Sequence, residues 1–318
     1  MKPAVSCVVP HYRQHAQLTA CLAALNGQQG GPSLEVVVVD DGSEHRPILG
    51  DTHLDVRLLS TVHRGPATAR NVGAAAANSP ILAFTDADCR PRARWIAAIA
   101  HAFADSTVAA VVGPLFDKTP IPRGFGLRRM LHQFMQSISV LDHNAIEITY
   151  DGFPFLGTIG ANFAVSREWF EHVGGFDERF TRPGGEDYDL GYRLQKAGAK
   201  VVFVPDAIVE HHYATDLQAL IRRWIHYGVG KSLFATKHDI DAVALDLVCS
   251  RWFHLITRLP TIYRVARAHY PSSVTKSVVN SVVRYYVEWL FQLGAVRGYR
   301  AIAASKSDAT RVPHGRSA

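Results

Sequence analysis

The chain of 318 residues is poor in cysteine, and its four, Cys7, Cys21, Cys89 and Cys249, form no CxxC pair. That scatter excludes the common zinc frameworks and a disulfide ladder, and it fits a reducing cytoplasm. No GxGxxG turn follows the first strand-like segment, where the sequence runs PHYRQH from Pro10 to His15. A dinucleotide-dependent oxidoreductase needs those glycines for its pyrophosphate, and the P-loop enzymes are removed by the absence of GxxxxGK[ST]. Uncharged apolar runs are short as well. The best candidate for a membrane span, Val274 to Val296, is broken by Lys276, Arg284 and Glu288, whereas a spanning helix needs about eighteen or more such residues. Met1 to Pro10 lacks a charged n-region, apolar core and small-residue cleavage site, so no signal peptide is expected. The expectation is a soluble or peripheral protein of the cytoplasm, at most touching the inner face of the cell membrane.

What remains is an ordinary globular composition, 47% hydrophobic and 19% charged. It suffices for one large core or two modest ones and is too apolar for a disordered chain. The charge is unevenly placed. Up to Glu210 there are 19 Lys+Arg against 22 Asp+Glu, and beyond it 15 against 6. A near-neutral front half therefore precedes a basic back half, which suggests a partner for the latter. Nucleic acid is not expected there, because the aromatic and basic residues fall at helical spacing with no recognisable binding motif.

Strand and helix signals alternate through the front half. Apolar, β-branched runs at Ala4 to Pro10, Leu34 to Asp40, Val56 to Val62, Pro80 to Thr85 and Val108 to Gly113 read as strands. Helical patterns lie between them at Gln14 to Leu25, Pro66 to Asn78 and Arg92 to Ala104. Such alternation implies an α/β fold whose mostly parallel central sheet is covered on both faces, with ligands at the carboxyl ends of the strands. The pattern loosens from Phe116 to Tyr150, then resumes with a strand at Gly157 to Val165 and helices near Arg167 to Val173 and Glu186 to Ala197. Strands at Lys200 to Pro205 and Ala207 to His211 follow, and after Thr215 the chain reads as almost entirely helical.

Four polar constellations sit at the ends of these elements. Asp86 and Asp88 close the strand ILAFT and offer hard oxygen ligands to Mg²⁺ or Mn²⁺; a solvated turn with Asp88 capping the next helix is the plainer alternative. Asp40 and Asp41 end a buried strand, either as an Asx-type turn or as acceptors for the imide N–H of a uracil-like base. Gly184-Gly185-Glu186-Asp187 opens a helix. Acidic residues are favoured there by the helix dipole, but the two glycines suggest close backbone approach to a ligand and a carboxylate able to act as general base. His211, after an apolar strand, is either an ordinary strand-end histidine or a metal ligand.

Taken in order, VVDDGS, GPATARNVG, FTDADCRP, GANFAVSREWFEHVGGFDERF and GGEDYDLGYRLQKAGAKVVFVPDAIVEHH resemble the family 2 glycosyltransferases of GT-A fold, over roughly Ala4 to Tyr213. The resemblance implies an inverting transfer of a sugar from a nucleotide diphosphate donor, with UDP favoured, to an acceptor hydroxyl, assisted by Mn²⁺ or Mg²⁺. By the same resemblance Pro10, Tyr12, Asp40 and Asp41 would hold the base and Arg70 would lie near the nucleotide. Asp86 would face the ribose, Asp88 and His211 would bind the metal, and Asp187 would be the base with Glu186 beside it. Two positions depart from the family's usual pattern: Arg13 stands where asparagine follows the tyrosine, and Cys89 follows the second aspartate.

The expected organisation is a GT-A nucleotide-sugar domain over 1–214 with an acceptor-side insertion at 116–150. A mainly helical extension over 215–304 and a disordered end at 305–318 would complete it. A catalytically inactive binding protein of the same fold would lack a base or a metal ligand, and a sugar-nucleotide pyrophosphorylase would show a glycine-rich, arginine-bearing loop near its start. The helical extension reads either as packing on the first domain or as an in-plane membrane contact through Arg222, Arg223, Lys231 and their aromatic neighbours. The second would serve a lipid-linked rather than a soluble glycan acceptor.

Overall fold

The computed structural model describes residues 4–50, 52–120, 147–150, 153–213, 216–239, 293–298 and 300–302. Its centre is a seven-stranded sheet in the order β11-β6-β10-β4-β1-β2-β3. The strands are β1 (Val5–His11), β2 (Leu34–Asp40), β3 (Asp55–Ser60), β4 (Ile81–Phe84), β6 (Val108–Val112), β10 (Phe163–Ser166) and β11 (Lys200–Phe203). All neighbours run parallel except β10, which is antiparallel to both β4 and β6. The fold class is therefore the expected mixed α/β with a mostly parallel sheet.

The central strands are apolar along their whole length because both faces are covered. Val36 to Val39 and Val5 to Val9 are buried, as parallel sheets under helices require. One face packs against α1 (His15–Asn26) through Leu18, Cys21, Leu22 and Leu25. The helix α2 (Pro66–Ala76) approaches so closely that a Cβ on Gly73 would strike the side chains of Val8 and Val39. The remaining helices are α3 (Trp95–Ala102), α4 (Arg167–His172), α5 (Glu186–Lys196) and α6 (Leu217–Lys237). The last of these fits the helical reading of the chain after Thr215.

Two features depart from the sequence pattern. A second, three-stranded sheet joins β5 (Cys89–Pro91), β12 (Val209–His211) and β7 (Leu115–Asp117). Its short strands carry too few residues to show a period. The strand expected at Gly157 to Val165 is confined to β10; Gly157 to Asn162 form a turn instead. A hairpin of β8 (Glu147–Tyr150) and β9 (Phe153–Leu156) precedes it. Residues 121–146 of the expected insertion, the 305–318 end and all but the last residue of the helical pattern at Val274 to Leu293 lie outside the described residues. Among the described residues no helix is long and apolar enough to cross a membrane.

Candidate active site

The carboxyl ends of β1, β2 and β4, the small sheet and the start of α5 converge on one cleft of ≈ 1220 Å³, closed on its far side by α6. Pro10, Tyr12, Asp41, Arg70, Asp86, Asp88, Glu186, Asp187 and His211 all line it. Of the expected site residues only Asp40 is turned away. Its carboxylate meets the buried His11 ring at 3.0 Å, where burial draws the imidazole below its usual range against the pull of Asp40.

At one end Tyr12 stacks on His63, with centroids 4.1 Å apart and planes 21° from parallel. Asp41 lies beneath them. Its two carboxylate oxygens accept the backbone N–H groups of Arg64 at 3.0 Å and Gly65 at 2.9 Å. Gly65 is left-handed, with φ 98°, and a Cβ there would collide with the Thr181 carbonyl. Asp41 thus pins the entry to α2 beside the Thr181 loop.

Arg70 occupies the middle. It is 3% exposed and donates Nη2 to Asp86 at 2.6 Å and Nη1 to Glu186 at 2.9 Å. The next residue, Asn71, exchanges two hydrogen bonds with the backbone of Phe176, each 2.9 Å. The ARN segment thereby ties the GGFDERF turn to α2.

At the start of α5, Gly184 (φ 116°) and Gly185 (φ 96°) carry the chain through left-handed conformations that side chains rarely adopt. Glu186 turns back to accept from Gly184 N–H at 2.8 Å. Asp187, half-buried, accepts from Gly160 N–H at 2.9 Å and from Tyr188 N–H at 2.9 Å, while the Thr158 hydroxyl donates to its carbonyl oxygen. The turn at Gly157 to Asn162 supplies the Gly160 and Thr158 donors. Burial, reinforced by the charge of Asp187, raises Glu186 to about 7 despite Arg70. Burial likewise lifts Asp187 above the usual carboxylate range, the Gly160 N–H and Arg70 pulling the other way.

The third cluster joins Asp88 to His211. One oxygen of Asp88 lies 2.9 Å from His211 Nε2, and the other accepts from Gln14 Nε2 at 3.3 Å. Burial opposes the charge on Asp88, but His211 and Arg223 outweigh it and hold the carboxylate below its usual range. The residues fit a divalent cation. An oxygen and an imidazole nitrogen 2.9 Å apart have the spacing of adjacent ligands on an octahedral ion with bonds of about 2.1 Å. Cys89 Sγ lies within the same cluster, yet burial lifts its thiol well above the usual range, leaving the hard O and N atoms as the candidate donors. Gln14 and Gly160 stand outside the residues expected from the sequence to form the site. Their roles arise from contacts between distant segments, for which no local pattern exists.

The comparisons identify the family and the fold. The model of "Glycosyl transferase family 2" matches residues 6–174, and that of "N-terminal domain of galactosyltransferase" matches residues 142–215. The chain belongs to glycosyltransferase family 2. Pre-mycofactocin glycosyltransferase of Mycobacterium tuberculosis is 33% identical over 243 residues, covering 74% of this chain and 48% of that protein. Validoxylamine A glucosyltransferase of Streptomyces hygroscopicus subsp. limoneus is 30% identical, covering 62% of this chain and 49% of that one. The chain thus spans about half the length of these curated relatives. A mannosyltransferase of Pyrobaculum calidifontis, solved with GDP-Man and Mn²⁺, shares the fold with a TM-score of 0.58 at 22% identity, over 94% of this chain and 88% of that one.

Proposed function

We propose that this chain is an inverting glycosyltransferase that moves one sugar from a nucleotide diphosphate donor, UDP favoured, to an acceptor hydroxyl on a glycan or lipid-linked precursor. The observation that carries the reading is Asp187. Its carboxylate is oriented by two backbone N–H groups in the cleft that also holds Asp88, His211 and Arg70. A carboxylate raised by burial is a better base at neutral pH than a solvated one.

Tyr12 and Pro10 offer a face for the base, and Asp41 retains lone pairs for an imide N–H beyond the two backbone donors it holds. Asp86, anchored by Arg70, faces the ribose. A divalent cation, Mn²⁺ or Mg²⁺, held by Asp88 and His211 would bind the diphosphate and offset its negative charge. Asp187 takes the acceptor proton as that oxygen attacks the anomeric carbon, forming the new C–O bond while the bond to the diphosphate breaks on the opposite face. One displacement inverts the anomeric centre, and no second carboxylate nucleophile is required. Glu186, held by Arg70 and Gly184 N–H, supports Asp187 by position. The exposed Arg222 and Lys231 of α6 would bring this cleft to an anionic membrane carrying a lipid-linked acceptor.

The test is a panel of UDP- and GDP-sugars with Mn²⁺ or Mg²⁺, scored for nucleotide release and for binding tightened by the metal. Release that requires both donor and cation is expected. Neither release nor metal-tightened binding anywhere in the panel would overturn the proposal.

A further inference from the structure

Behind the cleft, three side chains of the small sheet stand in one row. His211 on β12 is in register with Cys89 on β5 and, on its other side, with Asp117 on β7. Residues in register on neighbouring strands point to the same face, with the strands about 4.8 Å apart. The first step of the row is visible in Cys89, whose Sγ lies within the Asp88–His211 cluster. Asp117 forms the outer end and is not among the residues lining the cleft.

Two buried atoms in this row have no hydrogen-bond partner, His211 Nδ1 and Asp117 Oδ2. One can carry a proton and the other can accept it, and each gives up its hydration with no protein group in return. The remaining polar atoms of both side chains are engaged. His211 Nε2 lies 2.9 Å from Asp88 Oδ1. Asp117 Oδ1 accepts the Thr119 N–H at 2.7 Å, and Thr119 Oγ1 in turn accepts the Tyr213 N–H at 2.8 Å. That turn holds the Asp117 carboxylate by one oxygen and leaves the other available. A small side-chain rotation or one bridging water closes the step to His211. His212 Nε2 is buried and unpaired as well. Consecutive residues of an extended chain face opposite sides, however, and the register sets His211 beside Asp117. Burial and then Arg90 hold the His212 ring below its usual range, and the pull of Asp117 on it is weaker.

We infer that Asp117 is a positioning residue for His211, accepting a hydrogen bond from Nδ1–H so that Nε2 offers its lone pair to the cation shared with Asp88. This rests on the reading of Asp88 and His211 as metal ligands, and it adds a residue from outside the cleft. The nitrogen a histidine presents to a metal is set by the hydrogen bond its other nitrogen makes. A neutral imidazole carries one N–H, so an acceptor at Nδ1 selects the tautomer whose Nε2 is bare. A carboxylate in that place also fixes the ring plane and makes the imidazole a stronger ligand.

Calorimetric titration of UDP into the full chain, in EDTA and at a series of Mn²⁺ concentrations, tests it. Asp117→Asn keeps an oxygen for the Thr119 N–H while replacing the free acceptor with an N–H donor. It should raise the Mn²⁺ concentration that half-maximally tightens UDP binding by about ten- to a hundredfold, the usual cost of losing such a partner. UDP affinity in EDTA and the thermal transition should stay at wild-type values, and His212→Gln should match the wild type throughout. An unchanged Mn²⁺ requirement in Asp117→Asn, or an equal shift in His212→Gln, overturns the inference while leaving the transferase reading in place. UDP binding by Asp117→Asn that falls as much in EDTA as in Mn²⁺ also overturns it, by making Asp117 a purely structural residue. Wild-type UDP binding that Mn²⁺ does not tighten would overturn the metal reading and the inference with it.

Discussion

The guanidinium of Arg70 lies 2.9 Å from the carboxylate of Glu186, a residue 116 positions further along the chain, and both side chains are all but sealed from solvent. Through this pair α2, the helix entered beside Asp41, is fastened to α5, the helix that carries Asp187. Arg70 satisfies Asp86 at the same time, so one buried cation serves two carboxylates. Replacing it with a neutral side chain of similar length leaves both acids unpaired. Arg70→Met is expected to destabilise the fold by about 3–5 kcal/mol, the usual cost of breaking a buried pair from one side. Urea unfolding at neutral pH checks this; a loss within experimental error would show that the pair contributes little.

Glu186 also predicts a pH dependence. Its pKa is raised in the fold to about 7, chiefly by burial and then by Asp187, so the folded state binds its proton more tightly than the unfolded state does. The stabilisation is fully present below the unfolded value, near 4.5, and is lost as pH rises towards 7. Other carboxylates act in the opposite direction, Asp177 and Asp88 being lowered, so the effect is isolated as a difference. Wild type minus Glu186→Gln, followed by thermal unfolding from pH 4.5 to 7.5, should show the wild type losing ground as pH rises. A flat difference would contradict the burial argument.

Asp187→Asn is nearly isosteric and keeps an acceptor for Gly160 N–H. Donor binding should survive while transfer falls by about a hundred- to ten-thousandfold, the range for loss of a general base. If Glu186→Gln is inactive and Asp187→Asn retains activity, the two roles are exchanged.

Much of this fold is legible in the sequence, and the exceptions have causes. Leu34 to Asp40 reads as a buried strand and is one to the residue, because four consecutive valines between turn residues leave little alternative. Gly157 to Asn162 reads as part of a strand but bends, its Gly160 N–H donating to Asp187 and the side-chain amide of Asn162 donating to the carbonyls of Pro114 and Ala207. The antiparallel course of β10 has no local signature. Neither does the orientation of Arg223. The sequence offers it to a membrane alongside Arg222, whereas the structure turns it onto Tyr213 and leaves Arg222 outside. Lys237 and His238, also on the basic side of the chain, pair with the fully buried Asp189 on α5 at 2.7 and 2.8 Å. Part of the basic back half is thus spent on docking α6.

The proposed membrane contact rests on two other cations of α6. Arg222 and Lys231 are exposed at the rim of the cleft, and each well-placed cation near an anionic surface contributes about 1 kcal/mol. Co-sedimentation with anionic liposomes should occur at low salt, weaken as salt rises, and drop further in the Arg222→Gln, Lys231→Gln double variant. Equal recovery in the supernatant with anionic and neutral vesicles would remove the membrane from the account.

The central claim is that nucleotide binding is linked to a divalent cation through Asp88 and His211, and titrating UDP into wild type and Asp88→Ala with and without Mn²⁺ tests it most directly. The account predicts that Mn²⁺ tightens UDP binding to the wild type and has no such effect on Asp88→Ala, whose thermal transition stays cooperative. The same Mn²⁺-dependent gain in both proteins would contradict it.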